Sequence, residues 1–230
     1  MRVGIILTND SRSKAYIQKL IKNNITLDSY ILMNNNIKEN FSEEIIKNAQ
    51  KFGFDVSKQV KHILLEKNIH FKEFNFVDIN HPELIDYLKN DICDYFIFTG
   101  GGILKKEILN LPTKFIHIHP GIVPNYRGST CFYYSIINEK NAGVTAFIMD
   151  ENLDTGKIIY QKKFDKPDHK FIDEIFDPHI RSEVLIDIFC KNLLEKEEFK
   201  EQDSKTGETY FIIHPVLKHI AILSCIRTND

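Results

Sequence analysis

Short apolar runs alternate with stretches of helical periodicity along this chain, and that alternation constrains its fold more than any other feature. Val3–Thr8 (VGIILT), Ser29–Met33 (SYILM), Tyr95–Thr99 (YFIFT) and Lys114–His119 (KFIHIH) are too short for helices. They are rich in β-branched and aromatic residues, the mark of buried strands. Between the first two, Ala15, Ile17, Leu20 and Ile21 recur at helical spacing behind the capping candidates Asn9, Asp10 and Ser11. Asn34, Asn35 and Asn36 form a polar turn. Amphipathic helices are expected over Glu43–Lys51 and Val56–Lys67, a short strand over Phe71–Val77, and a helix opening at Pro82. Strands that alternate with helices predict an α/β fold with a mostly parallel sheet covered by helices.

A helix over Ile103–Leu109 follows, and another through Phe132, Tyr133, Ile136 and Ile137. Gly143–Met149 and Lys157–Phe164 read as strands joined by the turn Asp150–Gly156. After Pro167 the pattern changes to a long helical stretch, Phe171–Leu194, a charged segment expected as an exposed loop (EKEEFKEQDSKTGE), a strand over Thr209–Ile213 and a final apolar helix. The expected division is a catalytic portion over 1–166 and a C-terminal helical extension over 167–230 packed on it.

With 43% hydrophobic residues, the chain can fill a core. No apolar run reaches the roughly 18 residues of a membrane span, and the first residues lack a signal-peptide pattern. A soluble cytoplasmic protein is expected, with no membrane partner. The net charge of −2 and absence of a basic cluster disfavour a nucleic-acid partner, whose binding rests on phosphate neutralisation. Cys93, Cys131, Cys190 and Cys225 form no C-x-x-C pair and are expected to be reduced core residues.

Polar chemistry is concentrated between Thr99 and Gly156. In open α/β sheets, ligands bind at the carboxyl ends of strands. One such end carries His117 and His119, whose spacing of two puts both on one face. A loop rich in proline and glycine follows and contains Tyr126 and Arg127; Asp154 lies in a later turn. A histidine moves protons near neutral pH, a carboxylate orients it or accepts the proton itself, and a nearby donor stabilises an oxyanion. Together these suit acyl transfer. Arg127 fits either an anion-binding or a loop-anchoring role.

The segment His117-Ile-His119-Pro120-Gly121-Ile-Val-Pro124-Asn-Tyr126-Arg127-Gly128, followed by Leu153-Asp154-Thr155-Gly156, resembles the 10-formyltetrahydrofolate-dependent formyltransferase family. The family pattern there is Asn-x-His-Pro-Ser-Leu-Leu-Pro-x-Tyr-Arg-Gly, then Asp-x-Gly. The upstream stretch Phe98–Leu104 with Leu111-Pro112 is also similar, and the motif-level likeness covers about residues 95–162. The resemblance implies a Rossmann-like fold, catalytic roles for His119 and Asp154, and His117 in the place of the family's catalytic asparagine. It implies a folate site formed by Phe98, Gly100, Gly101, Gly102, Ile103, Leu104, Asp150 and Leu153, and a substrate site with Tyr126 and Arg127. The co-substrate implied is 10-formyltetrahydrofolate. The acceptor implied is a small-molecule amine, with an amino-sugar nucleotide as leading candidate and no metal required. Two departures stand out: His117 for asparagine, and Gly121 for serine.

Two other readings remain open on sequence. One is a non-catalytic relative that keeps the fold and binds a ligand, which His117 keeps alive. The other is a metal-dependent hydrolase using His117, His119 and Asp154 with His169 or His179. Oligomeric state is open, a homodimer included.

Overall fold

The computed structural model describes residues 1–34, 39–100, 102–203 and 205–226. Asn35 and Asn36 of the expected turn, and Gly101 of the expected folate site, lie outside the described residues. The chain divides into two compact units: 1–117 with 148–151, and 118–147 with 152–230. Compactness thus divides the chain elsewhere than residue 166.

The first unit is built as the sequence pattern predicts. Strand β1 (Val3–Leu7) leads into helix α1 (Ser11–Lys22), and β2 (Ser29–Met33) into α2 (Glu43–Lys51) and α3 (Val60–Glu66). Then come β3 (Lys72–Phe74), α4 (Pro82–Leu88), β4 (Tyr95–Phe98), the short α5 (Lys106–Leu109) and β5 (Lys114–His119). Asp10 caps α1 by accepting the Ser13 N–H at 2.7 Å. All strand pairs here are parallel, in the order β3-β2-β1-β4-β5. The order reverses between β1 and β4, and the Ser13 and Thr99 hydroxyls lie 2.6 Å apart at the carboxyl ends of those strands. Ile6, Ile31, Met33, Phe96, Phe98 and Phe115 belong to one buried cluster. Each such side chain contributes about 1.5–3 kcal/mol by leaving water.

Two expected helices are shorter than their periodicity. The stretch before Val60 is a turn in which Asp55 accepts the Ser57 N–H at 2.8 Å. Ile103 and Leu104 precede α5 in an irregular segment, because Lys105, at the N-cap, is extended (φ −84°, ψ 166°), its N–H held by the Asn80 side chain at 2.7 Å.

Strand β5 runs on into the second unit. There follow β6 (Tyr126–Gly128), α6 (Cys131–Glu139), β7 (Asn141–Ile148) and β8 (Ile158–Asp165), with β7 and β8 antiparallel. The expected long helix is divided: a π-helical turn (Ile172–Phe176) passes into α7 (Asp177–Cys190), and Asn192, at φ 52°, separates α7 from α8 (Leu193–Lys196). Strand β9 (Glu208–Tyr210) pairs with β6, a pairing the polar sequence of β6 conceals, and α9 (Pro215–Cys225) closes the fold. Helix α9 buries Ala221 and Cys225 but exposes Val216, Leu217, Ile220 and Leu223, a narrower docking edge than its apolar sequence suggests. Cys93, Cys131 and Cys225 are buried as expected, whereas Cys190 is exposed. No helix among the described residues is long and apolar enough to cross a membrane.

Candidate active site

Strand β5 ends at His119, whose ring is buried in the second unit. Its Nε2 lies 2.9 Å from the Tyr126 carbonyl oxygen. A carbonyl only accepts, so Nε2 carries the proton and donates it. In the neutral ring Nδ1 is then the basic nitrogen, and it faces Asp154 Oδ2 at 3.4 Å. Burial lowers the proton affinity of His119, and the nearby Arg181 charge lowers it further. The Asp154 carboxylate, the Tyr126 bond and Asp177 oppose that fall. The balance favours the neutral ring.

Asp154 sits in the turn between β7 and β8 at φ 55°, the left-handed region that aspartate tolerates better than most residues. Its Oδ2 accepts the Gly128 N–H at 2.7 Å. Gly128 itself has φ 98°, and a Cβ there would lie 2.1 Å from the Tyr210 carbonyl oxygen of β9. Only glycine therefore lets β6 approach β9 and aim its N–H at Asp154. The Asp154 side chain is 12% exposed against 2% for His119, so the carboxylate is the member of the pair that reaches outward. A partly buried carboxylate backed by a neutral imidazole can take up one proton and share it between Oδ2 and Nδ1.

The C-terminal segment holds this turn. Gln202 Nε2 donates to the carbonyls of Asp154 (3.1 Å) and Gly156 (2.6 Å), while its Oε1 accepts from Arg127 (3.1 Å). Arg127 also donates to the Thr206 and Asp203 carbonyls, each at 3.1 Å, and is buried. Of the two roles open for Arg127, the geometry fills that of loop anchor. Tyr126 is buried too, its ring stacked on Tyr210 at 5.3 Å and its hydroxyl pushed up to about 12 by burial. Its contribution to the pair is the backbone carbonyl. Behind β5, Arg181 donates to the Ile118 carbonyl (2.8 Å) and to Asp177 (2.6 Å), with both side chains buried. Sequence reasoning passed over Gln202 and Arg181. The spacing of Asp177 and Arg181, four apart in an otherwise apolar helix, was the available signal.

His117 is half-buried in the first unit. Phe98 and Leu104 lie in that unit's buried cluster, Gly100 packs against the Phe98 ring, and Ile103 is 71% exposed. Asp150 is half-buried, and Leu153, in the second unit, is exposed. Among the described residues no group of three or more His, Cys, Asp or Glu is arranged to hold a metal ion. His179 lies 3.8 Å from Glu183, and His169 lies beside Phe171 and Phe176.

Residues 3–170 match the family model described as formyl transferase. The chain belongs to that family. It is 35% identical over 154 residues to methionyl-tRNA formyltransferase of Clostridium novyi, covering 64% of this chain and 49% of that protein. The chain thus spans about half the length of the curated relatives it matches. In fold it is similar to a sugar N-formyltransferase from Shewanella sp. (TM-score 0.60, 19% identity, 100% of this chain and 90% of that one). It is also similar to an N-formyltransferase from Helicobacter canadensis in complex with folinic acid and dTDP-3-aminofucose (TM-score 0.64, 17% identity, 99% and 81%).

Proposed function

We propose that this chain transfers a formyl group from 10-formyltetrahydrofolate to the amine of a small molecule, with an amino-sugar nucleotide as leading acceptor. The observation that carries the reading is the buried His119 with its tautomer fixed and its basic nitrogen turned to an outward-reaching Asp154. An amine that attacks a formyl carbon becomes more acidic as the bond forms, and a carboxylate within reach accepts its proton. Asp154 takes that proton and His119 Nδ1 shares it, so that no full positive charge develops in the buried ring. The proton then returns to the departing nitrogen. His117 donates a hydrogen bond to the formyl oxygen, in place of the family's asparagine.

The folate co-substrate supplies the activated formyl group. Its expected contacts in the first unit fit in kind: Ile103 offers an exposed apolar side chain to a flat ring, and Gly100 and Gly102 follow β4 at the strand-order reversal. The likeness to a protein solved with folinic acid and an amino-sugar nucleotide supports the same co-substrate and acceptor class.

A second reading, a methionyl-tRNA acceptor, is favoured by the identity to methionyl-tRNA formyltransferases and opposed by the net charge of −2. Calorimetry with 5-formyltetrahydrofolate, then turnover with a panel of amino-sugar nucleotides and with methionyl-tRNA, tests all of this. Transfer to an amino-sugar nucleotide is expected. Folate binding without transfer to any amine identifies a non-catalytic relative, and absence of folate binding overturns the reading. His117→Asn should keep turnover, while His117→Ala should lose roughly 10²–10³-fold, as deletion of an oxyanion donor does elsewhere.

A further inference from the structure

Strand β7 carries a buried hydroxyl that meets the loop after His119 at two points. The Thr145 hydroxyl donates to the Gly121 carbonyl at 2.7 Å and accepts the Val123 N–H at 3.2 Å. Gln161, its cross-strand neighbour on β8, donates to the same hydroxyl oxygen at 3.2 Å and to the Val123 carbonyl at 2.7 Å. One bond given and two accepted fill the capacity of a hydroxyl. Between those points the Ile122 side chain lies over Gly143, two residues before Thr145 on the same strand face. A Cβ at Gly143 would stand 2.3 Å from Ile122 Cγ1. The β7–β8 hairpin thus grips residues 121–123 by one side chain and by the backbone on either side of it.

Both ends of the bond that orients the His119 ring start from this grip. Gly121 is two residues beyond His119, so its held carbonyl limits where the backbone of the ring can stand. At the other end the Ile122 carbonyl accepts the Tyr126 N–H at 3.0 Å, and the Tyr126 carbonyl accepts from His119 Nε2 at 2.9 Å. We infer that Thr145 is a positioning residue for the proposed formyl transfer: its hydroxyl fixes the loop that sets the Tyr126 carbonyl against His119 Nε2 and so turns basic Nδ1 to Asp154. The inference rests on the reading of His119 and Asp154 as a proton-sharing pair. Without the hydroxyl, the Gly121 carbonyl and the Val123 N–H lose a buried partner, and an unmet polar group there is costly. The loop shifts to satisfy them, the Tyr126 carbonyl moves with it, and Asp154 alone must hold the proton.

The test compares Thr145→Val, which keeps the shape and loses the hydroxyl, with Thr145→Ser, which keeps the hydroxyl. Nitrogen-15 NMR of the imidazoles in the whole chain reads the ring, with the His119 signals assigned by their loss in His119→Gln. The wild-type ring should be neutral and protonated at Nε2, and Thr145→Ser should preserve both that signature and turnover. In Thr145→Val the signature should be lost and kcat should fall by roughly 10²-fold, the effect of a displacement of about 1 Å at a reacting group, with KM close to the wild-type value. A folded Thr145→Val protein with signature and kcat both unchanged overturns the inference. Where Thr145→Val does not fold, Gln161→Met decides: it removes only the bonds from β8 and should shift the His119 signals with a smaller fall in kcat, and no change in either overturns the inference. A wild-type ring protonated at Nδ1 overturns it without any variant or activity. A wild-type protein that shows the Nε2 tautomer yet transfers no formyl group to any amine overturns instead the functional reading beneath it.

Discussion

Replacing Asp154 separates its two roles, because asparagine can perform one and not the other. In the folded chain Oδ2 accepts the Gly128 N–H at 2.7 Å and faces His119 Nδ1 at 3.4 Å. In Asp154→Asn the amide oxygen takes the place of Oδ2 and keeps the Gly128 bond, with the NH₂ in the place of Oδ1. Asparagine also tolerates the φ of 55°. The expected loss of stability is therefore within about 1 kcal/mol, the difference between a charged and a neutral acceptor. Asp154→Ala keeps neither feature. An orphaned, partly buried N–H costs about 1–3 kcal/mol, and a left-handed alanine about 1–2 kcal/mol more, giving roughly 2–5 kcal/mol together. In turnover the two variants should look alike, each down by about 10²–10⁴-fold, because neither can accept a proton. Urea unfolding and steady-state kinetics on the same preparations decide. An asparagine variant with wild-type turnover would refute the role of Asp154 as proton acceptor. One as unstable as the alanine variant would refute the account of the turn.

Arg127→Ala should destabilise the chain by roughly 2–4 kcal/mol, the loss of charge-assisted bonds to part-buried acceptors, and expose the segment 197–207 to proteolysis before global unfolding. A stable variant with a raised KM would show instead that Arg127 clamps substrate. Stability should also depend on pH through His119, whose folded pKa is lowered chiefly by burial. Between that value and the unfolded value near 6.5, the unfolded chain binds the extra proton. The contribution is thus complete above about pH 6.5 and is lost as pH falls through the folded pKa, with a slope of up to about 1.4 kcal/mol per pH unit. His119→Gln should flatten that slope in urea melts; parallel pH curves for wild type and variant would contradict the burial assigned to the ring.

The central parallel strands were legible because apolar, β-branched and aromatic residues dominate them, and Ser29–Met33 and Lys114–His119 were read at their observed limits. Helix lengths were less legible, because local backbone turns end helices that periodicity would continue. Lys105 is extended before α5, and Asn192 turns left-handed after α7. At the site, His119 and Asp154 could be named from their motifs, but the direction of each ring nitrogen could not. That direction depends on a backbone carbonyl, and a carbonyl carries no side-chain signature. The charged segment 195–208 reads as an exposed loop because most of its described residues are exposed, and Gln202 looks like an ordinary polar residue until its partners are seen.

These placements bear on the expected division of labour, in which His119 stabilises the developing oxyanion while Asp154 holds it and helps to remove the amine's proton. In the folded chain the ring is the more deeply buried of the two, its Nε2 is spent on the Tyr126 carbonyl, and only Nδ1 remains on the side of Asp154. A buried imidazole that cannot easily become a cation is a poor primary base but a good second one: it draws on a proton that the carboxylate has already accepted without carrying the full charge itself. In the proposed transfer Asp154, partly exposed and steadied by Gly128 and Gln202, is then the group that meets the amine. The C-terminal segment supports that proposed role, because it holds both the turn that carries Asp154 and, through Arg127, the strand that offers Gly128 to it.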